Sequence, residues 1–129
     1  MKELYVELAR RLHAKHESIM RLSGYKLEEV PAELDKALKE KELVVLYFTA
    51  NWCAPCISFM ETVRDVASKL KERVAFYKVD VDKSIGVANR YNVEYLPATL
   101  MLRGGEPVDR IYGIVTARSL ENRISRLLK

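Results

Sequence analysis

Glutamine is missing from this chain of 129 residues, tryptophan occurs once, and cysteine occurs twice. Both cysteines fall in the tetrapeptide Cys53-Ala54-Pro55-Cys56. That excludes a small secreted domain held by a disulfide framework. Long apolar runs are also missing. The longest covers residues 43–50, far short of the roughly 20 residues that a membrane-spanning helix needs. The start, Met1-Lys2-Glu3-Leu4, leads into a charged amphipathic stretch without the apolar centre and cleavage site of a signal peptide. Arg10-Arg11 lacks the apolar segment of a twin-arginine signal. The expectation is a cytoplasmic protein with no membrane association. A large excess of one charge is absent too: Lys and Arg number 22 against 18 Asp and Glu, for a net charge of +4. The signs are interspersed, so the basic face of a nucleic-acid-binding protein is not expected. What is plentiful is Lys, Arg and Glu, the composition of a heat-adapted protein. Hydrophobic residues make up 49% of the chain, enough for the core of one domain.

Periodicity orders the rest. In residues 2–22, Leu4, Tyr5, Leu8, Ala9, Leu12, Ile19 and Met20 recur mostly at intervals of three and four, which predicts an amphipathic helix stopped by Ser23-Gly24. Residues 25–30 suit a short edge strand. Pro31 can open a second helix from its first position, with Leu34 and Leu38 inward. Leu43-Val44-Val45-Leu46-Tyr47-Phe48 is continuously apolar and β-rich, as in a strand buried on both faces. The cysteines follow directly. After them Ile57, Met60, Val63, Val66, Ala67 and Leu70 carry a helical period. Residues 74–81 read as a strand and 83–91 as a short helix. Residues 99–103 and 108–112 form a hairpin across Gly104-Gly105. Residues 116–128 form a closing helix with Leu120, Ile124 and Leu127 inward. The order predicts an α/β fold with a mixed central sheet covered by helices on both faces.

A strand, then Cys-x-x-Cys, then a helix has direct chemical meaning. It sets Cys53 at a helix N-terminus, where unpaired N–H groups and the dipole favour a thiolate. Cys56, one turn further in, can reach Cys53 to close a disulfide. Cys53 is therefore expected to attack and Cys56 to resolve. Pro55 suits the first helical turn, which does not need its missing N–H. Trp52 lays a flat apolar surface beside the reactive sulfur. A zinc site would need further ligands. The remaining candidates, His13 and His16, are too closely spaced and lie on a separate helix, so no metal is expected. Tyr47 reads as a core tyrosine with a hydrogen-bonded hydroxyl. Pro97 taken alone could be an ordinary trans turn proline.

Trp52-Cys53-Ala54-Pro55-Cys56 resembles the active-site pentapeptide of the thioredoxin family. Leu96-Pro97 followed by Thr99-Leu100-Met101-Leu102 and Gly105-Glu106 is similar to that family's cis-proline loop and the hairpin after it. Gly113 resembles the glycine near the active-site face, and Lys78, in Tyr-Lys-Val-Asp-Val-Asp, the strand lysine near the buried cysteine. The resemblance implies a thioredoxin-like domain over residues 25–129, preceded by an extension over residues 1–24 with no counterpart in a minimal thioredoxin. It implies a thiol–disulfide oxidoreductase that reduces protein disulfides through Cys53 and Cys56, is re-reduced by a thioredoxin reductase or another dithiol donor, and needs no bound cofactor. Substrate peptides would lie across Trp52, Leu96, Pro97 and Gly113, with a cis bond before Pro97. A disulfide oxidant or isomerase, or an adaptor that docks a partner through the N-terminal helix, are the other readings. A monomer is expected, with a dimer through that helix as the alternative. Three features depart from the family pattern. Tyr47 stands where a buried aspartate is usual, Glu61 where a helix-kinking proline is usual, and the extension is additional. Ala54 in place of glycine is a minor change.

Overall fold

The computed structural model describes residues 26–128. The expected helix over residues 2–22, with its Leu4–Leu8–Leu12 stripe and both histidines, lies outside the described residues.

β2 (Leu43–Thr49) is buried at all seven positions because its apolar residues do not alternate with polar ones. A strand with two apolar faces needs a layer on each side. It also occupies the centre of the five-stranded sheet, whose order is β1-β3-β2-β4-β5. β1 (Glu28–Glu29) and β3 (Val74–Asp80) run parallel to their neighbours. β4 (Ala98–Arg103) pairs antiparallel with both β2 and β5 (Glu106–Tyr112). The sheet is mixed, as the element order implies. Gly104 and Gly105 both have positive φ, 57° and 87°. A two-residue hairpin turn whose twist matches the strands requires this, and glycine adopts it without strain.

Alternate residues of β2 feed two cores. Leu43, Val45 and Tyr47 face α2 (Ala54–Leu70) and α4 (Ala117–Leu127), against Phe59, Val63, Val66, Leu120 and Ile124. Val44, Leu46 and Phe48 face α1 (Leu34–Ala37) and α3 (Ile85–Arg90), against Leu34, Leu38 and Ala88. Each large aliphatic side chain buried this way contributes about 1.5–3 kcal/mol of transfer free energy. α4 is tied to β5 by a fork: the Arg123 Nε donates to Asp109 Oδ2 at 2.9 Å and Nη2 to Oδ1 at 2.5 Å.

Two local expectations are corrected. Pro31 does not begin a helix, because α1 starts only at Leu34, with Glu33 as its cap. Leu34 and Leu38 are buried nonetheless, so the apolar spacing rather than the proline sets this element. Ile57 is 56% exposed, and Phe59 is the residue that turns inward. With Cys56 fixed inside the fold, the α2 stripe runs through Cys56, Phe59, Val63, Val66 and Ala67, and Ile57 falls off it. α2 continues unbroken past Glu61, which carries the backbone N–H that a proline would lack.

Candidate active site

Because β2 and β3 are parallel and in register, their C-terminal ends Thr49 and Asp80 finish at one edge of the sheet. The chain leaves that edge of β2 in a tight turn, in which the Cys53 N–H donates to the Ala50 carbonyl at 3.1 Å. Cys53 is the cap of α2, with extended backbone (φ −96°, ψ 97°), and Pro55 sits in the first helical turn. The Cys56 N–H points back at the Cys53 Sγ, at 3.3 Å. A sulfur accepting a free helix N–H is better stabilised as a thiolate than as a thiol.

The two cysteines form a disulfide, with Cα atoms 5.3 Å apart. Cys53 retains 6% exposure and Cys56 none. The pair is therefore asymmetric: Cys53 keeps a small exposed surface, and Cys56 is fully enclosed. Ala50, Cys53 and Cys56 make a small buried cluster, against which Val81 and Leu96 pack. Leu96-Pro97 is a cis peptide, and Pro97 is buried. The Gly113 N–H donates to the Pro97 carbonyl at 2.8 Å. Gly113 has φ +85° with open space around its α-carbon; the backbone conformation, not crowding, calls for glycine there. Leu96 thus packs on the cluster that holds the two cysteines, Pro97 follows it, and Gly113 is tied to Pro97 through its N–H, while Trp52 directly precedes Cys53 in the chain.

Trp52 is 69% exposed, but its ring is not loose: the Nε1–H donates to Asp82 Oδ2 at 2.9 Å. Asp82 in turn is fixed by its own N–H donating to Asp80 Oδ1 at 2.9 Å. This aspartate is missing from the residues predicted from sequence. It lies two residues past the end of β3, and the parallel β2–β3 pairing brings the end of β3 beside the chain that leads to Cys53.

Tyr47 lies beneath α2. Its hydroxyl donates to the Cys56 carbonyl, and its ring meets Phe59 edge-on at 5.9 Å. Burial holds the phenol well above its ordinary titration range, so it stays neutral near pH 7 and donates rather than accepts. The expectation of a hydrogen-bonded core tyrosine holds. Lys78 is the register partner of Tyr47 on β3 and is half-buried. Ala54 and Pro55 are exposed on the outer side of the turn. Among the described residues no group of three or more His, Cys, Asp or Glu is placed to hold a metal ion.

The thioredoxin family model matches residues 26–126. Thioredoxin H4 of Arabidopsis thaliana is 40% identical over 81 residues, which are 63% of this chain and 68% of that protein. The H-type thioredoxin of Fagopyrum esculentum is 38% identical over 92 residues, 71% of this chain and 78% of that protein. Thioredoxin Y1 of Arabidopsis thaliana, a chloroplastic protein, is 37% identical over 90 residues; the chain spans about half of its length (52%). Among solved structures, a mutant thioredoxin from Halobacterium salinarum superposes with a TM-score of 0.71 at 26% identity, covering 80% of this chain and 89% of that one. The oxidised thioredoxin of Plasmodium falciparum gives 0.69 at 26% identity, covering 81% and 100%.

Proposed function

The chain belongs to the thioredoxin family of thiol–disulfide oxidoreductases, and from that premise we propose that it reduces protein disulfides, with Cys53 as the attacking thiol and Cys56 as the resolving thiol. The observation that carries this assignment is the asymmetry of the pair: Cys53 caps α2, accepts a helix N–H and is the cysteine that keeps some exposure, whereas Cys56 is enclosed.

The Cys53 thiolate attacks one sulfur of the target disulfide, forming a mixed disulfide. The other target sulfur leaves as a thiolate and takes up a proton. Cys56 then loses its proton and attacks the Cys53 sulfur. The Cys53–Cys56 disulfide forms and the second target thiol is released. Two electrons pass from the dithiol to the target. A thioredoxin reductase or another dithiol protein returns them. No bound cofactor enters these steps. Trp52, braced by Asp82, and the Leu96-Pro97-Gly113 side of the cluster form the two walls between which the target segment lies. Ala54 and Pro55 shape the turn that presents Cys53, and Tyr47, with Lys78 beside it on β3, supports the helix from below through its hydrogen bond to the Cys56 carbonyl.

Insulin-disulfide reduction with dithiothreitol as electron donor tests the proposal. Micromolar protein is expected to accelerate precipitation of the insulin B chain well above the rate with dithiothreitol alone. Asp82→Asn, which weakens the brace on Trp52 but leaves both cysteines, is expected to slow turnover about threefold to tenfold, mainly through KM. A wild-type rate equal to the dithiothreitol background overturns the reading.

A further inference from the structure

Two tyrosines beside this site have no role in the steps above. Tyr95, two residues before Pro97, is 66% exposed, and Tyr112, just before Gly113, is 40% exposed. Their rings meet edge to face, with centroids 5.5 Å apart at 88°. Neither belongs to a buried cluster, so the fold does not require aromatic rings at these positions.

The pair is nevertheless held in place. α3 ends at Arg90 with Tyr91 as its cap, and Asn92 just beyond has φ 53°, a left-handed conformation that asparagine tolerates better than most residues. The Val93 N–H reaches back to the Ala88 carbonyl at 3.0 Å. This closure leaves the last carbonyls facing Arg110 of β5. The Arg110 guanidinium donates to the Tyr91 carbonyl at 2.6 Å and the Asn92 carbonyl at 3.0 Å. It also donates to the Tyr112 hydroxyl at 2.9 Å and lies over the Tyr112 ring, 5.8 Å from its centroid. One side chain therefore fixes both the loop that carries Tyr95, Leu96 and Pro97 and the ring on which Tyr95 rests.

We propose that Tyr95 and Tyr112, positioned by Arg110, form a specificity wall selecting extended target segments with an aromatic or branched aliphatic side chain two residues from the cysteine under attack. The inference rests on the reductase reading of the same site. In an extended segment alternate side chains face the same way. When the target cysteine points at Cys53, the residue two positions away points at the same surface, and the tyrosine pair lies next along it, beyond Leu96 and Gly113. Exposed ring edges and faces reward aromatic and aliphatic partners. The occupant is a target segment rather than a second copy of the chain, because Tyr95 and Tyr112 directly precede Leu96 and Gly113, residues of the wall along which the target lies in the proposed reaction.

The test uses three substrates: two disulfide peptides identical except for Phe or Ser two residues from the cysteine, and bis(2-hydroxyethyl) disulfide, which is too small to reach the wall. Wild type is expected to favour the Phe peptide by about tenfold in kcat/KM. Tyr95→Ala and Tyr112→Val are each expected to reduce that preference to about twofold, with rates on the Ser peptide and the small disulfide unchanged within twofold. Arg110→Met, which keeps the length but removes the donors, is expected to lower the preference likewise. Equal wild-type rates on the two peptides, or an equal loss on all three substrates in the tyrosine variants, overturns the wall but leaves the reductase reading standing. Failure of wild type on all three overturns that reading and the wall with it. A concentration-dependent dimer in sedimentation that Tyr95→Ala abolishes assigns the patch to a second copy and overturns the proposal.

Discussion

Cys53→Ser is expected to abolish insulin reduction, a loss of roughly 10³-fold or more, because the attacking sulfur has been replaced by a much weaker nucleophile. Cys56→Ser is expected to behave differently. It retains the attacking thiol but cannot complete the exchange, so the target should accumulate as a covalent adduct on Cys53, visible by mass spectrometry and cleaved by dithiothreitol. The difference follows from structure: Cys53 has 6% exposure and a helix N–H aimed at its sulfur, and Cys56 has neither. Alkylation of the reduced wild type at pH 7 should modify Cys53 first. Modification mainly at Cys56, or an adduct carried by Cys56 in Cys53→Ser, would reverse the roles.

The second large effect concerns the proton that Cys56 must lose inside an enclosed site. Burial disfavours a thiolate, and the group beneath it, Tyr47, is a neutral donor already committed to the Cys56 carbonyl. No carboxylate occupies that position to accept the proton. Tyr47→Asp is therefore expected to speed resolution of the mixed disulfide between about pH 6 and 8, a window that brackets the thiol titration. The acceleration should grow as pH rises through the carboxyl's own titration, since only the ionised form accepts a proton. The same substitution should cost about 3–5 kcal/mol of stability, from the cavity left by the ring and from a buried carboxyl. Burial raises that carboxyl's folded pKa above its unfolded value of about 3.9. The variant should therefore be least destabilised at acidic pH and lose stability as pH rises. Trp52, the single tryptophan, adjoins Cys53 and offers the fluorescence signal for stopped-flow measurement. Identical resolution rates in wild type and variant across that window would make Tyr47 a packing residue only.

The parts of this site that were legible in the sequence are those written in local order. Strand, cysteine pair and helix adjoin in the chain, so the capping position of Cys53 and the enclosure of Cys56 followed from spacing. The continuous apolar run of β2 placed it at the sheet centre, because a strand with two apolar faces has no other home. The cis bond before Pro97 came from resemblance rather than from the residues, which left it open. Tertiary adjacency left no local trace. Nothing near Asp82 in the sequence says that it will meet Trp52; only the parallel pairing of β2 with β3 brings them together. The same holds for Tyr95, Tyr112 and Arg110, joined across 17 residues by the β4–β5 hairpin and the loop after α3. Ile57 misled for a related reason: periodicity marks an apolar stripe, but the side chain that must be buried, Cys56, sets where the stripe begins.

Reduction, rather than oxidation or isomerisation, is the central claim, and the equilibrium potential of the Cys53–Cys56 couple tests it most directly. The potential is read by titrating the protein against defined ratios of oxidised and reduced dithiothreitol and quantifying both forms after acid quenching and alkylation. A reductase is expected to lie close to the value of about −270 mV typical of thioredoxins, where the dithiol can pass electrons to most target disulfides. A potential at or above about −180 mV, the range of isomerases and oxidants, would contradict the account, because the disulfide would then be the form that reacts.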